Sequence, residues 1–252
     1  MPSLDDVSEL LRRMRPSGPP YIVGLAGAVA AGKSVFAAGL AAAIAAWPDR
    51  PGVEIVSTDG FLLDNATLAA RELTLRKGFP ESYDTAAMAA ALAAIRTGAA
   101  VFPGYSHAIY DVDPGLARRI ERPGVLIVEG LGLQRAPAET GLDALVYLDA
   151  DEALLESWFT ERLIELWRAA EHDPTSFYAR FRTLDEDQAR AFAANAWRRI
   201  NLPNLREHIV LARDQAHIVV RKGQNHVIEA VVQGRGSTAS PGAITPPRAT
   251  EA

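Results

Sequence analysis

Three observations predict an α/β fold, a parallel sheet with helices on both faces. Short apolar runs at residues 21–26, 125–129 and 144–149, with a further strand at 53–57, alternate with Ala-rich helical stretches. These runs lack the polar alternation of a half-exposed strand, as expected where both faces of a sheet are covered. A glycine-punctuated turn joins the first run to the first helix. The chain of 252 residues is also long enough to bury one full core.

Taken in order, residues 1–20 are polar and close on Pro16-Ser17-Gly18-Pro19-Pro20, which reads as an N-terminal linker. After the strand at 21–26, residues 33–47 read as an Ala-rich helix and 48–52 as a turn. The strand at 53–57 ends at Thr58-Asp59-Gly60. A short helix is predicted over 65–73, and a longer one over 84–96 with Asp84 as its N-cap. Residues 101–111 are mixed, broken by Pro103 and Gly104. Beyond the strands ending in Glu129 and Asp149, the pattern from 151 to about 199 is helical, with Leu154, Leu155, Trp158, Leu163, Leu166 and Trp167 at helical spacing. Asp149-Ala150-Asp151 also reads as a cap for the helix that follows. Residues 216–221 and 227–232 flank Lys222-Gly223-Gln224-Asn225-His226 and read as a β-hairpin. Residues 234–252 have almost no large apolar side chains and read as a disordered tail. One domain is therefore expected over 21–233.

Composition narrows the function. The chain carries a formal charge of −5, which leaves no polyanion-binding footprint and no expectation of nucleic acid. It has 0 Cys, which excludes disulfides, Cys-ligated metals and thiol nucleophiles. No apolar run reaches the ~20 residues of a membrane span, and no signal-peptide pattern opens the chain, so a cytoplasmic location is expected. Of the 26 basic residues, only Lys33, Lys77 and Lys222 are lysines.

Gly27-Ala28-Val29-Ala30-Ala31-Gly32-Lys33-Ser34 fits G-x-x-x-x-G-K-[ST] between an apolar strand and a helix. The glycines let backbone N–H groups turn around phosphate oxygens, and the helix adds its positive end. Lys33 is a compact charge for the β/γ-phosphates, and the Ser34 hydroxyl can hold Mg²⁺. The sheet is thus of the P-loop NTPase type, and ATP with Mg²⁺ is the expected cofactor set. The plain rival is a structural glycine turn. Ligands in open α/β sheets bind beyond the carboxyl ends of the strands. Asp59 sits at one such end, where a carboxylate can accept the proton of an attacking hydroxyl. Glu129 sits at another, where such folds place an acid that orients Mg²⁺. Either acid could instead cap a helix in solvent.

Several segments in one order resemble the bacterial type I pantothenate kinases, of the phosphoribulokinase/uridine kinase superfamily. They are residues 21–34, Ser57-Thr58-Asp59-Gly60-Phe61, Arg76-Lys77-Gly78-Phe79-Pro80-Glu81-Ser82-Tyr83-Asp84, Tyr105-Ser106-His107 with Tyr110-Asp111, Leu126 to Leu131, Ile200-Asn201-Leu202-Pro203-Asn204-Leu205, and Lys222 to His226. The resemblance implies ATP-dependent phosphorylation of the terminal hydroxyl of pantothenate, the first step of coenzyme A synthesis. It implies Asp59 as catalytic acid, and Lys33 and Arg162 as the cations on the transferring phosphoryl group. Tyr105, His107, Asn201 and the Phe159 position would hold the substrate. Asn225 and His226 lie in the hairpin by the adenine. The chain departs from the family in a shorter N-terminal segment and a shortened stretch at 132–143. Gly132 stands in place of Asn, Phe159 in place of Tyr, and Ala38 where a basic residue is associated with coenzyme A inhibition. A kinase of another small alcohol, a nucleoside or sugar acid, stays open, as does a non-catalytic nucleotide-binding regulator. A homodimer is also left open. The regulator predicts that Tyr105, His107 and Asn201 do not share a pocket with Asp59. The three lysines are expected to face one nucleotide–substrate cleft.

Overall fold

The computed structural model of the chain describes residues 2–134 and 140–238. Its centre is a six-stranded sheet in the order β2-β5-β1-β6-β7-β8. The strands are β1 (Tyr21–Gly27), β2 (Val53–Ser57), β5 (Val125–Glu129), β6 (Ala144–Asp149), β7 (Ile218–Lys222) and β8 (Ile228–Gln233). β1 runs parallel to β5 (Tyr21 beside Val125) and to β6 (Val23 beside Ala144); β2–β5 and β6–β7 are also parallel. β8 returns antiparallel to β7 as the predicted hairpin. Every residue of β1 and β5 is buried, so both sheet faces are covered, as their unbroken apolar character requires.

α2 (Lys33–Ala45) follows the glycine loop and buries Phe36, Leu40 and Ile44. α3 (Asn65–Ala70) is capped by Asp64, and α4 (Thr85–Thr97) by Asp84, whose carboxylate accepts from the Ala87 N–H at 2.8 Å. α5 (Glu152–Ala169) and α6 (Glu186–Ala196) follow β6. The helical run expected over 151–199 is interrupted between them, where Phe177–Phe181 makes a 3-10 turn. Residues 197–215 continue helically through two π segments, Trp197–Asn201 and Leu205–Ile209.

Two parts differ from the sequence reading. The N-terminal linker contains a helix, α1 (Leu4–Met14). Val7 and Leu11 are fully buried, and Ser8 Oγ accepts from Trp47 Nε1 at 2.8 Å. The four-residue spacing of Val7 and Leu11 gives the short segment one apolar face, which docks on α2. The mixed stretch near 101–111 belongs to a separate antiparallel pair, β3 (Ala100–Ser106) with β4 (Asp111–Ile120), with the register shifting between Phe102 and Gly104. Within the tail expected over 234–252, Arg235–Thr238 form a 3-10 turn, and residues 239–252 lie outside the described residues. Among the described residues, no helix is long and apolar enough to cross a membrane.

Candidate active site

The phosphate loop leaves the carboxyl end of β1 and enters α2. Gly32 has φ 79°, and a Cβ there would meet Lys222 Nζ at 2.9 Å, so this position needs glycine twice over. Lys33 Nζ donates to the loop's own carbonyls, Ala28 O at 2.9 Å and Gly27 O at 3.2 Å. Burial lowers the Lys33 pKa, the negative charges of Glu129 and Asp59 oppose that, and Arg162 adds to it. Four charged groups from β2's end, β5's end, α2 and α5 therefore share one field.

Glu129 ends β5, is 8% exposed, and accepts from the Ser34 hydroxyl at 3.1 Å across 95 residues of sequence. Burial raises its pKa, against the pull of Lys33 and hydrogen bonds from Ser34 and Ser57. Gly130, at φ 149°, has no room for a Cβ because Thr58 Oγ1 occupies that space. This contact packs the β2 and β5 ends together.

Asp59 lies in the 3-10 turn Thr58–Phe61 directly after β2. Its N–H donates to the Ser57 hydroxyl at 3.2 Å, which holds the turn. Its charge acts on Lys33, Lys77, Tyr105, His107 and Glu129. Asp59, Glu129, Tyr105 and His107 line one pocket between the β2 end and the β3–β4 pair. The Tyr105 and His107 rings meet edge to face at 5.1 Å. Burial lowers the His107 pKa, so this imidazole is neutral near pH 7, and burial raises that of Tyr105. Asn201 ends the first π segment and does not line this pocket.

Arg162, on α5, has no carboxylate within ion-pair distance among the described residues. Its neighbours Glu161 and Glu156 pair with Arg190 and Arg198 instead. Its charge is felt by Lys33, His107 and Tyr178, so it looks into the cleft and not along its own helix. Phe159 packs its ring on Trp197 at 5.9 Å. Asn225 and His226 cap the hairpin with φ 53° and 59°, and His226 Nδ1 lies 3.3 Å from where a Gly32 Cβ would stand. Of Asp149-Ala150-Asp151, Asp151 is the N-cap residue of α5, and Asp149 pairs with Arg213 at 3.2 Å and Arg221 at 3.3 Å.

The other two lysines are also withdrawn from bulk water. Lys222 is 5% exposed and donates to Ala31 O at 2.7 Å. Lys77 donates to Tyr110 O at 2.6 Å and Asn65 Oδ1 at 2.7 Å, with its ammonium 4.5 Å from the Tyr110 ring centroid and 5.1 Å from that of Tyr105. Sequence reasoning missed three partners of the site. Tyr110 and Asn65 anchor Lys77, and Asn204, 3% exposed, donates to Gly78 O at 2.9 Å, tying the helical run to the 76–84 segment. Tyr110 and Asn204 lie in segments that carry the family resemblance, which was the signal for them, whereas nothing marked Asn65.

No protein-family model matches the chain. Curated relatives do. A pantothenate kinase of Sorangium cellulosum is 44% identical over 227 residues, 86% of this chain and 74% of that protein. One of Rhizobium rhizogenes is 42% identical over 225 residues, 84% and 68% of the two chains. Among solved structures, a putative fructose transport system kinase from a Silicibacter species superposes with a TM-score of 0.66 at 24% identity, covering 82% of this chain and 93% of that one. A D-glycerate 3-kinase from Cryptococcus neoformans gives 0.65 at 15% identity, covering 91% and 98%. At such identities the structural likeness speaks for the fold alone, a mostly parallel sheet with a phosphate loop after its first strand. The relatives' identity and coverage speak for more: this chain belongs to the pantothenate kinase family.

Proposed function

We propose that the protein transfers the γ-phosphoryl group of ATP to the terminal hydroxyl of pantothenate. The hydroxyl oxygen attacks γ-phosphorus in line, the bond to the β–γ bridging oxygen breaks, and ADP leaves. The hydroxyl proton passes to the Asp59 carboxylate. Lys33 and Arg162 offset charge on the transferring group, and such reactions depend on positioning and charge more than on covalent chemistry. Ser34 and Glu129, with Ser57 beside them, offer hard oxygen donors that suit Mg²⁺ held by few protein ligands, and the ion bound there would offset charge on the phosphates. Tyr105 and the neutral His107 would hold the acceptor, with Phe159 and Asn201 further along its length. His226 and Asn225 would border the nucleotide.

The observation that carries this reading is the shared pocket of Asp59, Tyr105 and His107, one side of which is the Glu129 carboxylate bonded to the phosphate loop. A non-catalytic nucleotide-binding regulator has no need of that juxtaposition. A second acceptor, another small hydroxy acid or alcohol, is favoured by Phe159, which packs on Trp197 and offers no hydroxyl. A coupled assay against pantothenate, pantetheine, uridine, glycerate and ribulose 5-phosphate decides between them. In the same assay Asp59→Asn folds and binds ATP as the wild type does, while turnover falls at least about a hundredfold. Wild-type turnover in that variant removes Asp59 from the role.

A further inference from the structure

Trp158 lies on α5 four residues before Arg162, one helical turn away on the same face. Its indole stacks on the His226 imidazole with centroids 3.9 Å apart and planes at 25°, and the Lys222 ammonium stands 5.9 Å from its ring centroid. Both of those partners abut the phosphate loop. Lys222 donates to Ala31 O at 2.7 Å, and Lys222 and His226 are the side chains that a Cβ on Gly32 would meet first. The turn that carries the imidazole holds two successive non-glycine residues at positive φ, 53° and 59°. Such a conformation persists where the surroundings fix it and the site uses it.

The ion pairs of α5 lie toward solvent: Glu161 pairs with Arg190, Arg168 with Glu186 and Glu152 with Arg206, each with side chains more than a third exposed. Exposed ion pairs between long side chains hold position weakly. A flat stack between a half-buried indole and an imidazole has few rotatable bonds and fixes both distance and angle. The part of α5 nearest the phosphate loop is therefore held by the Trp158 stack together with the buried Leu155, and Arg162 is carried by the next turn.

We propose that Trp158 is a positioning residue. Stacked on His226, it fixes α5 against the nucleotide side of the cleft, so that Arg162 meets the transferring phosphoryl group. The role rests on the kinase reading above. It also requires that nucleotide on the loop be sensed at Trp158 through Lys222 and His226.

Two measurements on the full chain test it. In steady-state kinetics, Trp158→Ala lowers kcat about tenfold with the ATP KM changed less than about threefold, and Trp158→Phe, which keeps a flat ring, recovers most of the loss. In an Arg162→Ala background, Trp158→Ala costs less than about twofold more, because the group it positions is gone. Additive losses in that background, or equal losses in the Phe and Ala variants, overturn the proposal. If Trp158→Ala does not fold by circular dichroism, Trp158→Leu replaces it. The second measurement needs no acceptor. ADP titrated into the wild type changes the intrinsic fluorescence, and the change is lost in Trp158→Phe. An identical change in that variant overturns the link between loop and stack. Absence of turnover by the wild type on every acceptor would instead sink the functional reading, with the ADP titration still deciding whether the stack senses nucleotide.

Discussion

Lys222 makes a sharp test of how this site balances stability against binding. Its ammonium is buried with one hydrogen-bond acceptor, Ala31 O at 2.7 Å. Burial first, and then the charge of Lys33, lower its pKa from the usual 10.5 to about 8. That depression penalises the charged form in the folded chain by roughly 3 kcal/mol. Lys222→Met keeps the length and removes the charge. Losing the bond to Ala31 returns about 1 kcal/mol. The variant is therefore expected to be more stable than the wild type by roughly 2 kcal/mol at pH 7 without added nucleotide, a Tm rise of about 4–8 °C for a domain of this size. The sign with pH follows from linkage. Between about pH 8 and 10.5 the unfolded chain holds the Lys222 proton more readily than the folded one, so wild-type stability rises through that window. The variant's lead is full below pH 8 and gone by about pH 10.5. At the same time its ADP affinity falls about tenfold, because a cation beside the phosphate loop is lost. Thermal melts at pH 7 and 10.5 with ADP titration read all three effects. A lower Tm at pH 7, or a lead that persists unchanged to pH 10.5, refutes the reasoning.

Two further perturbations separate the halves of the cleft. Lys33→Ala is expected to lower ATP affinity and turnover together, since its ammonium is already at the loop carbonyls, and unchanged affinity by calorimetry would contradict the loop's role. Lys77→Met removes two charge-assisted hydrogen bonds that hold the Tyr110 turn, so the acceptor KM rises about tenfold while the ATP KM stays within about twofold. Equal rises in both would mean that Lys77 supports the whole fold and not the acceptor wall.

What could be read from the sequence depended on how local the signal was. The strands at 53–57, 125–129 and 144–149 match β2, β5 and β6 at both ends; β5 and β6 are buried on both faces and read as unbroken apolar runs, whereas the half-buried β2 is bounded by the turns on either side of it. The phosphate loop is legible for a similar reason, being eight consecutive residues with fixed chemistry. β4 was not legible. Most of it is exposed, so no apolar alternation marks it, and the strand runs through Pro114 and Gly115, residue types that are depleted in strands. In α1 the apolar face was diluted by flanking charges, and the capping box of Ser3 with Asp6 was the overlooked signal. The pocket proposed for the acceptor brings together Asp59, Tyr105 and His107, and Arg162, whose charge reaches His107, comes from a third distant part of the chain. Only the family resemblance gathered them, and it gathered Asn201 with them, which the pocket holding Asp59 does not include. Trp158 looked like an ordinary apolar position on a helix, and its partner His226 lies across the sheet order from it, beyond reach of any helical periodicity.

The scarcity of lysine now has a physical reading. This chain defaults to Arg, yet at three places it keeps a compact ammonium. Lys222 is buried and donates to a single carbonyl, Ala31 O at 2.7 Å, where a guanidinium would bring five donors to satisfy. Lys33 must bond two loop carbonyls at 2.9 and 3.2 Å and still turn toward phosphate, which a point charge with three rotatable donors does and a rigid fork does not. Lys77 is enclosed by two tyrosine rings and two oxygen acceptors, with its side chain 7% exposed. In each case the ammonium donates to a backbone carbonyl. The three lysines therefore mark where the cleft is most tightly built, and Arg162 marks the opposite condition. It faces an open part of the cleft, where a planar fork suits a phosphoryl group with oxygens to bridge.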